Sequence, residues 1–206
     1  MAVQQAAGAD PYFPEHGDPR YRVHRYELEL DYRPAPNRLA GAARLSAIAG
    51  RAQLTEFQLN LGDFRIGRVR VDGRAAHYTH RGGKLRVRPA KALPAGSAFT
   101  VDVHYSGNPR PVNSPWGGLG WEELTDGALV ASQPVGAPSW YPCNDRPADK
   151  AAYQISILQV REALQKQNIE IPGGRVDQGN REMVDVLLAA GEAPDPRDRH
   201  LARRKH

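Results

Sequence analysis

The sequence predicts a mainly β protein, an antiparallel β-sandwich, and three observations carry that reading. Residues 20–153 run as short stretches of β-branched and aromatic residues in near alternation with polar ones. Turn-forming residues separate the stretches every roughly 8–12 positions, and no helical period interrupts them. Beyond Gln154 the style changes to good helix formers, which adds a short helical, partly disordered C-terminal extension to the expectation. The expected organisation is an extended lead-in over residues 1–19, a sandwich over 20–153 and a tail over 154–206.

Taken in order, residues 1–19 are rich in Ala, Gly and Pro, with Asp10-Pro11, Phe13-Pro14 and Asp18-Pro19, and suit an extended lead-in. From Tyr21 the residues Tyr21, Val23, Tyr26, Leu28 and Leu30 fall near every second position against charged neighbours, the pattern of a half-buried strand. Pro34-Ala35-Pro36-Asn37 turns the chain, and Arg38–Ile48 reads as the antiparallel partner. Further strands are expected at Leu54–Leu61, Phe64–Val71, Ala75–Tyr78, Leu85–Val87 and Phe99–Tyr105, with turns at Gly62-Asp63, Asp72-Gly73, Gly82-Gly83 and Pro94-Ala95-Gly96. The Gly-, Pro- and Trp-rich stretch from Ser106 to Trp121 reads as a long connection before a short strand at Ala128–Ser132. In the tail, Ile157–Asn168 reads as a helix capped by Ser156, Glu182–Ala190 as a second helix, and Asp195–His206 as a charged end.

Composition narrows the function classes. With 206 residues, 40% hydrophobic and 25% charged, the chain has material for one ordinary domain and an appendage. No apolar run approaches the roughly 18 residues of a membrane span, and Met1–Asp10 lacks the basic and apolar regions of a signal peptide. A soluble, cytoplasmic protein without a membrane partner is the expectation. A single cysteine excludes an internal disulfide framework. The net charge of +5 is modest and both signs are interspersed over residues 20–150, so nucleic acid is not an expected partner.

The stretch from Ala131 to Ala151 carries the functional signal. It places prolines, the adjacent Trp140-Tyr141 pair, the only cysteine and several charges between two strand-like runs, a composition suited to a fixed, shaped loop. Within it stand Gln133 and then Tyr141-Pro142-Cys143-Asn144-Asp145-Arg146-Pro147-Ala148-Asp149-Lys150-Ala151-Ala152-Tyr153. This segment and the strands before it resemble the N-terminal β domain of the M1 family of zinc aminopeptidases, which closes with Gln…Tyr/Phe-Pro-Cys-x-Asp-x-Pro-x-x-Lys-x-x-Tyr. Pro142, Cys143, Asp145, Pro147 and Lys150 carry the match as a structural motif. The resemblance implies that Gln133 reaches the active site and binds the free amino group of a peptide, for which an amide oxygen is a suitable acceptor.

The family's chemistry requires zinc, held by His-Glu-x-x-His on a helix and a distant Glu. No histidine of this sequence precedes a glutamate, and Gly-x-Met-x-Asn is missing as well. The resemblance therefore implies no catalytic residue, no metal and no cofactor in this chain. It implies a substrate-cleft domain without its catalytic domain, truncated and inactive alone, that meets peptide N-termini only where such a domain is present. The alternative from another class is a non-enzymatic β-sandwich module that binds a protein partner or itself through unpaired strand edges.

Residues 155–177, with Gln165-Lys166-Gln167-Asn168-Ile169-Glu170-Ile171-Pro172-Gly173-Gly174-Arg175 at their centre, are similar to a porter-domain segment of RND efflux transporters. The two resemblances meet abruptly near Gln154, as in a gene fusion, a truncation or a mispredicted reading frame. Other constellations weigh less. His77 and His80 lie on opposite faces of a strand and have no third ligand in view. Cys143 has no neighbouring base and reads as a packed thiol. Asp145 and Lys150 form an expected ion pair. Gly117–Gly120 lacks the following helix of a phosphate cradle, and Arg203-Arg204-Lys205 reads as solvated tail.

Overall fold

A computed structural model of the protein describes residues 13–158, residue 126 excepted. The chain divides into two units, Met1–Gln165 and Lys166–His206, and every described residue belongs to the first. The helices expected at 157–168 and 182–190 fall outside the described residues except at the start of the first. So do the charged end and most of residues 155–177, where a resemblance to a transporter porter domain is expected.

The main sheet has six strands. β1 (Tyr21–Arg33), β2 (Arg38–Ala49), β8 (Ala98–Gly107), β4 (Arg65–Val71) and the two-residue β5 (Arg74–Ala75) follow one another in antiparallel pairs, and β12 (Ala152–Ile157) lies parallel to β1 at the edge. A second sheet joins β3 (Phe57–Asn60), β7 (Lys84–Arg88) and β6 (His77–Arg81). A third joins β11 (Ala128–Ala131), β10 (Gly117–Glu123) and β9 (Val112–Ser114). The protein is mainly β with several antiparallel sheets, as the alternation predicts.

One face of the six-stranded sheet is buried. Tyr21, Tyr26, Leu28 and Leu30 of β1 point inward with Leu39, Ala43 and Leu45 of β2 and with Phe99, Val101, Val103 and Tyr105 of β8. The sequence alternation slips by one residue after Val23, and the structure absorbs the slip in a register shift between Val23 and Arg25, a bulge that returns Tyr26 to the core face. Against this face packs the sheet of β3, β7 and β6. The rings of Tyr21, Phe57 and Phe99 meet with centroids 5.4–5.9 Å apart, a geometry in which aromatic edges and faces attract. Phe57, Leu59, Leu85 and Val87 are fully buried, and each such side chain contributes about 1.5–3 kcal/mol of transfer free energy. At the other end Tyr32 of β1 meets Trp121 of β10 at 4.8 Å.

Two expectations are corrected. The stretch from Ser106 to Trp121 is not a simple connection: it contains β9 and most of β10, paired from Gly117 with Ser114 to Leu119 with Val112. Glycines at 117, 118 and 120 remove the side chains through which alternation is read, so the sequence hides this hairpin. Ser156 and Ile157, expected as helix cap and first helical residue, stand in β12, where Ile155 pairs with Leu28 and Ile157 with Leu30. β12 thus passes through the seam expected at Gln154. The β-branched isoleucines favour a strand wherever an unpaired neighbour such as β1 is on offer.

Candidate functional site

The loop between β11 and β12 is built from the backbone upward. Gln133 precedes a cis peptide bond to Pro134, and the amide of Gly136 donates to the Ser132 carbonyl at 2.8 Å. Gln133 therefore stands on a closed turn with its side chain exposed. A short 3-10 turn, Ala137–Ser139, follows with Pro138 in its first turn.

Ser139 ties this turn to the β9–β11 sheet. Its fully buried hydroxyl donates to the Gly136 carbonyl at 2.6 Å and accepts from the Trp121 amide at 2.9 Å. That bond needs Gly120, whose φ is +104° and where an added Cβ would lie 2.2 Å from the Ser139 hydroxyl oxygen; only glycine meets both demands. Two more bonds fasten the loop to the sandwich. The Gly62 amide donates to Pro138 O at 2.7 Å, and the Tyr105 hydroxyl donates to Trp140 O at 2.8 Å.

The motif residues then enter the core. Pro142, Cys143 and Asp145 are buried, whereas Pro147 and Lys150 are exposed. Cys143 forms an isolated bridge with Asn60, amide to carbonyl in both directions at 2.7 and 3.0 Å. Burial pushes its thiol well up, and the Asp145 carboxylate adds to the rise, so at neutral pH Cys143 is a protonated, packed group and no nucleophile.

Asn144, which the motif leaves unspecified, makes a dense set of bonds between the loop and the lead-in. Its amide donates to the Tyr26 hydroxyl at 3.1 Å. Its side-chain nitrogen donates to the carbonyls of Asp18 and Tyr21 at 3.1 and 3.2 Å, and its side-chain oxygen accepts from the Asp18 amide at 2.6 Å. The lead-in is thereby held against the loop. Asp18, itself buried, accepts from the Gln58 amide at 3.0 Å and from the Arg20 guanidinium at 2.7 and 2.9 Å.

The expected pair of Asp145 with Lys150 is corrected: Asp145 Oδ2 lies 2.7 Å from Nδ1 of His16. The lead-in brings its histidine to a carboxylate only 8% exposed, where a buried charge gains most from a partner, and leaves Lys150 to solvent. Arg146 meets Asp149 at 3.4 Å. Lys84 donates to the Glu15 carbonyl, and burial lowers its ammonium below the ordinary lysine range against the opposing pull of Glu15.

Beneath the loop lies a cavity of about 80 Å³, bounded by Tyr26, Pro134, Tyr141, Cys143, Asp149 and Tyr153 among others. Tyr26 and Tyr153 stack at 5.0 Å, and the hydroxyls of Tyr141 and Tyr153 are 3.2 Å apart. Burial raises the hydroxyls of both Tyr26 and Tyr141 far above the usual tyrosine range. Neutral phenols packed this way are structural at physiological pH.

Metal chemistry finds no footing here. Among the described residues no group of three or more His, Cys, Asp and Glu side chains is placed to hold a metal ion. His77 is exposed, and His80 has its ring nitrogens 3.1 Å from the carbonyl oxygens of Phe64 and Leu61, occupied by backbone. Zinc does not fit these residues. Among the described residues no helix is long and apolar enough to cross a membrane.

Comparison with known proteins bears on the fold. No protein-family model matches the chain. Among solved structures, the chain is similar to a point mutant of a two-domain M1 zinc metallopeptidase bound to L-arginine, with 26% identity and a TM-score of 0.65. A second mutant structure bound to L-tryptophan matches at 27% identity and 0.64. The M1 zinc metallopeptidase from Deinococcus radiodurans matches at 26% and 0.64. Each match covers 70% of this chain, which spans about a third (34%) of the length of those proteins. These neighbours support an M1-like N-terminal domain.

Proposed function

We propose that the chain is the substrate-cleft domain of an M1-type metallo-aminopeptidase, working in the cytoplasm, that presents Gln133 to the free amino group of a peptide. The observation that carries this reading is the position of Gln133: exposed on a closed turn whose far side is locked to the sandwich through Ser139, Tyr105 and Gly62, in a chain whose fold is similar to M1 metallopeptidases. A rigid support is what a substrate-orienting amide needs, because binding then costs little ordering of the protein. By itself the chain is inert toward peptides. Incubation of the purified, zinc-supplemented protein with aminoacyl-coumarin substrates is expected to yield no turnover, and turnover abolished by a chelator overturns that part. Gln133 is tested with an M1 zinc catalytic domain added in trans, by the NMR signals of its side-chain amide during titration with a tripeptide and with its N-acetylated form. Shifts confined to the free amine are expected; equal responses to both argue against the assignment.

A second reading, a non-enzymatic interaction module, is favoured by one observation: Tyr153, Ile155 and Ile157 of the edge strand β12 are 52%, 42% and 42% exposed. An uncharged six-residue edge is a template for strand addition. Association through it is apolar and persists or strengthens as salt rises, which separates it from any association through exposed charges.

A further inference from the structure

The outer face of the six-stranded sheet carries its charges in an order that a solvated surface does not require. Three rows cross the sheet from β1 to β4. In the first, Glu27 pairs with Arg44, Arg44 with Asp102 and Asp102 with Arg70. In the second, the sequence is Glu29, Ala42, His104 and Arg68; in the third, it is Asp31, Ala40, Ser106 and Arg65. Every row begins with a carboxylate on β1 and ends with an arginine on β4. On the two inner strands Ala40, Ala42 and Ser106 are small, whereas Arg44, Asp102 and His104 are large or charged, so the floor between the acidic wall and the basic wall is low only across the third row and on β2 in the second. Glu29, Arg65, Arg68 and Arg70 are exposed.

We propose that this face docks on the same face of a second copy of the chain. A two-fold axis parallel to the strands and midway between β2 and β8 exchanges β1 with β4 while leaving each row at its own height. It sets Glu27 over Arg70 of the other copy, Glu29 over Arg68 and Asp31 over Arg65, each also in the reverse sense. The axis further sets Arg44 over Asp102, a pair that is already bonded at 2.7 Å within one copy. Six outer contacts of opposite sign arise from three rows, and no like charges are opposed in them.

The dimensions agree. Strands about 4.8 Å apart put the two walls roughly 14 Å from each other, and rows two residues apart are about 6.8 Å apart along the strands. Sheets stacked at about 10 Å leave a gap that an arginine and a facing carboxylate side chain bridge together. The four strands bury on the order of 1,000 Å² in total, the lower end for a specific interface. The dimer is accordingly weak, and because its contacts are exposed charges it is sensitive to ionic strength, the screening length shrinking from about 30 Å at 0.01 M to about 3 Å at 1 M salt. The other edge-based mode of association does not use this face, so its presence or absence leaves the reading of Gln133 untouched.

The test is analytical ultracentrifugation of the full chain at tens of micromolar, in dilute buffer and in about 0.5 M salt, with charge-reversal variants. A dimer in dilute buffer that dissociates in salt is expected. Glu29→Arg alone and Arg68→Glu alone each oppose like charges in two symmetry-related rows and are expected to weaken self-association roughly tenfold. Mixed in equal amounts, the two variants face one another with opposite charges in the reversed rows, and the mixed dimer is expected to regain wild-type affinity. Both positions are exposed, and circular dichroism checks that each variant is folded. A monomer in dilute buffer, a dimer that survives salt, or mixed variants that associate no better than either alone overturns the proposal.

Discussion

The six-stranded sheet and the loop over residues 131–150 lie side by side and are held by different means. The sheet is held by area: Leu39, Leu45, Val101 and Val103, with Phe57 and Leu59 of β3 from the facing sheet, are almost wholly removed from water, and such burial is indifferent to small changes of direction. The loop is held by particular atoms, above all the Ser139 hydroxyl, the Asn144 amide group and the backbone bridge of Cys143 to Asn60. The loop buries Val135, Tyr141 and Cys143, but its shape is fixed through hydrogen-bonded polar groups, because each buried polar atom left without a partner costs about 1–3 kcal/mol. Removal of area therefore weakens the whole domain, whereas removal of a polar contact releases the loop from it.

The largest effect is expected from Phe57→Ala. The ring is fully buried between Tyr21 and Phe99, and its loss costs about 3–5 kcal/mol, read as a lower denaturation midpoint by every probe at once. Asn144→Leu comes next, at about 2–4 kcal/mol, since it strips the Asp18 amide and the Asp18 and Tyr21 carbonyls of a buried partner. Its signature is faster proteolysis within residues 13–20 and 136–150 before global unfolding. A loss spread evenly over the domain would erase the contrast between the two regions.

Alkaline pH acts on both regions together. The Cys143 thiol and the hydroxyls of Tyr21, Tyr26 and Tyr141 all have folded-state pKa values raised by burial. The folded state keeps protons that the unfolded state releases, so the stabilisation is complete below the unfolded values, roughly 8.5 for cysteine and 10 for tyrosine, and declines as pH climbs beyond them. Denaturant titrations from pH 7 to 11 are expected to show a falling midpoint that begins near pH 9. Lys84 opposes this weakly, as its lowered pKa means the folded state gains as pH rises toward the ordinary lysine value. Smallest of all is Arg88→Ala, which removes an exposed pair with Glu56 at 3.3 Å and is expected to change stability by no more than about 0.5 kcal/mol.

The same contrast explains what was legible in the sequence. Strands whose side chains alternate announced themselves, and β1, β2 and β8 fall close to where the alternation puts them. Glycine strands did not, because β10 earns its place through the close approach of Gly120 to Ser139 and not through apolar side chains. At Ser156 and Ile157 local helix propensity points away from strand β12, because the open edge of β1 that decides the matter lies in a distant part of the chain. In the loop, the residue types of the motif were visible but their partners were not. Nothing local marks His16 as the partner of Asp145, 129 positions away, or Asn144 as the bond between loop and lead-in.

Amide hydrogen exchange, resolved to single residues, tests most directly whether the loop that carries Gln133 is a fixed part of the sandwich. The amides of Cys143, bound to Asn60 O at 3.0 Å, Asn144, bound to the Tyr26 hydroxyl, and Trp121, bound to the Ser139 hydroxyl, are the reporters, with those of β2 and β8 as the reference. Protection within about tenfold of the reference strands is expected, since both then open only with the domain. Exchange of these three amides thousands of times faster, with β2 and β8 still protected, contradicts it.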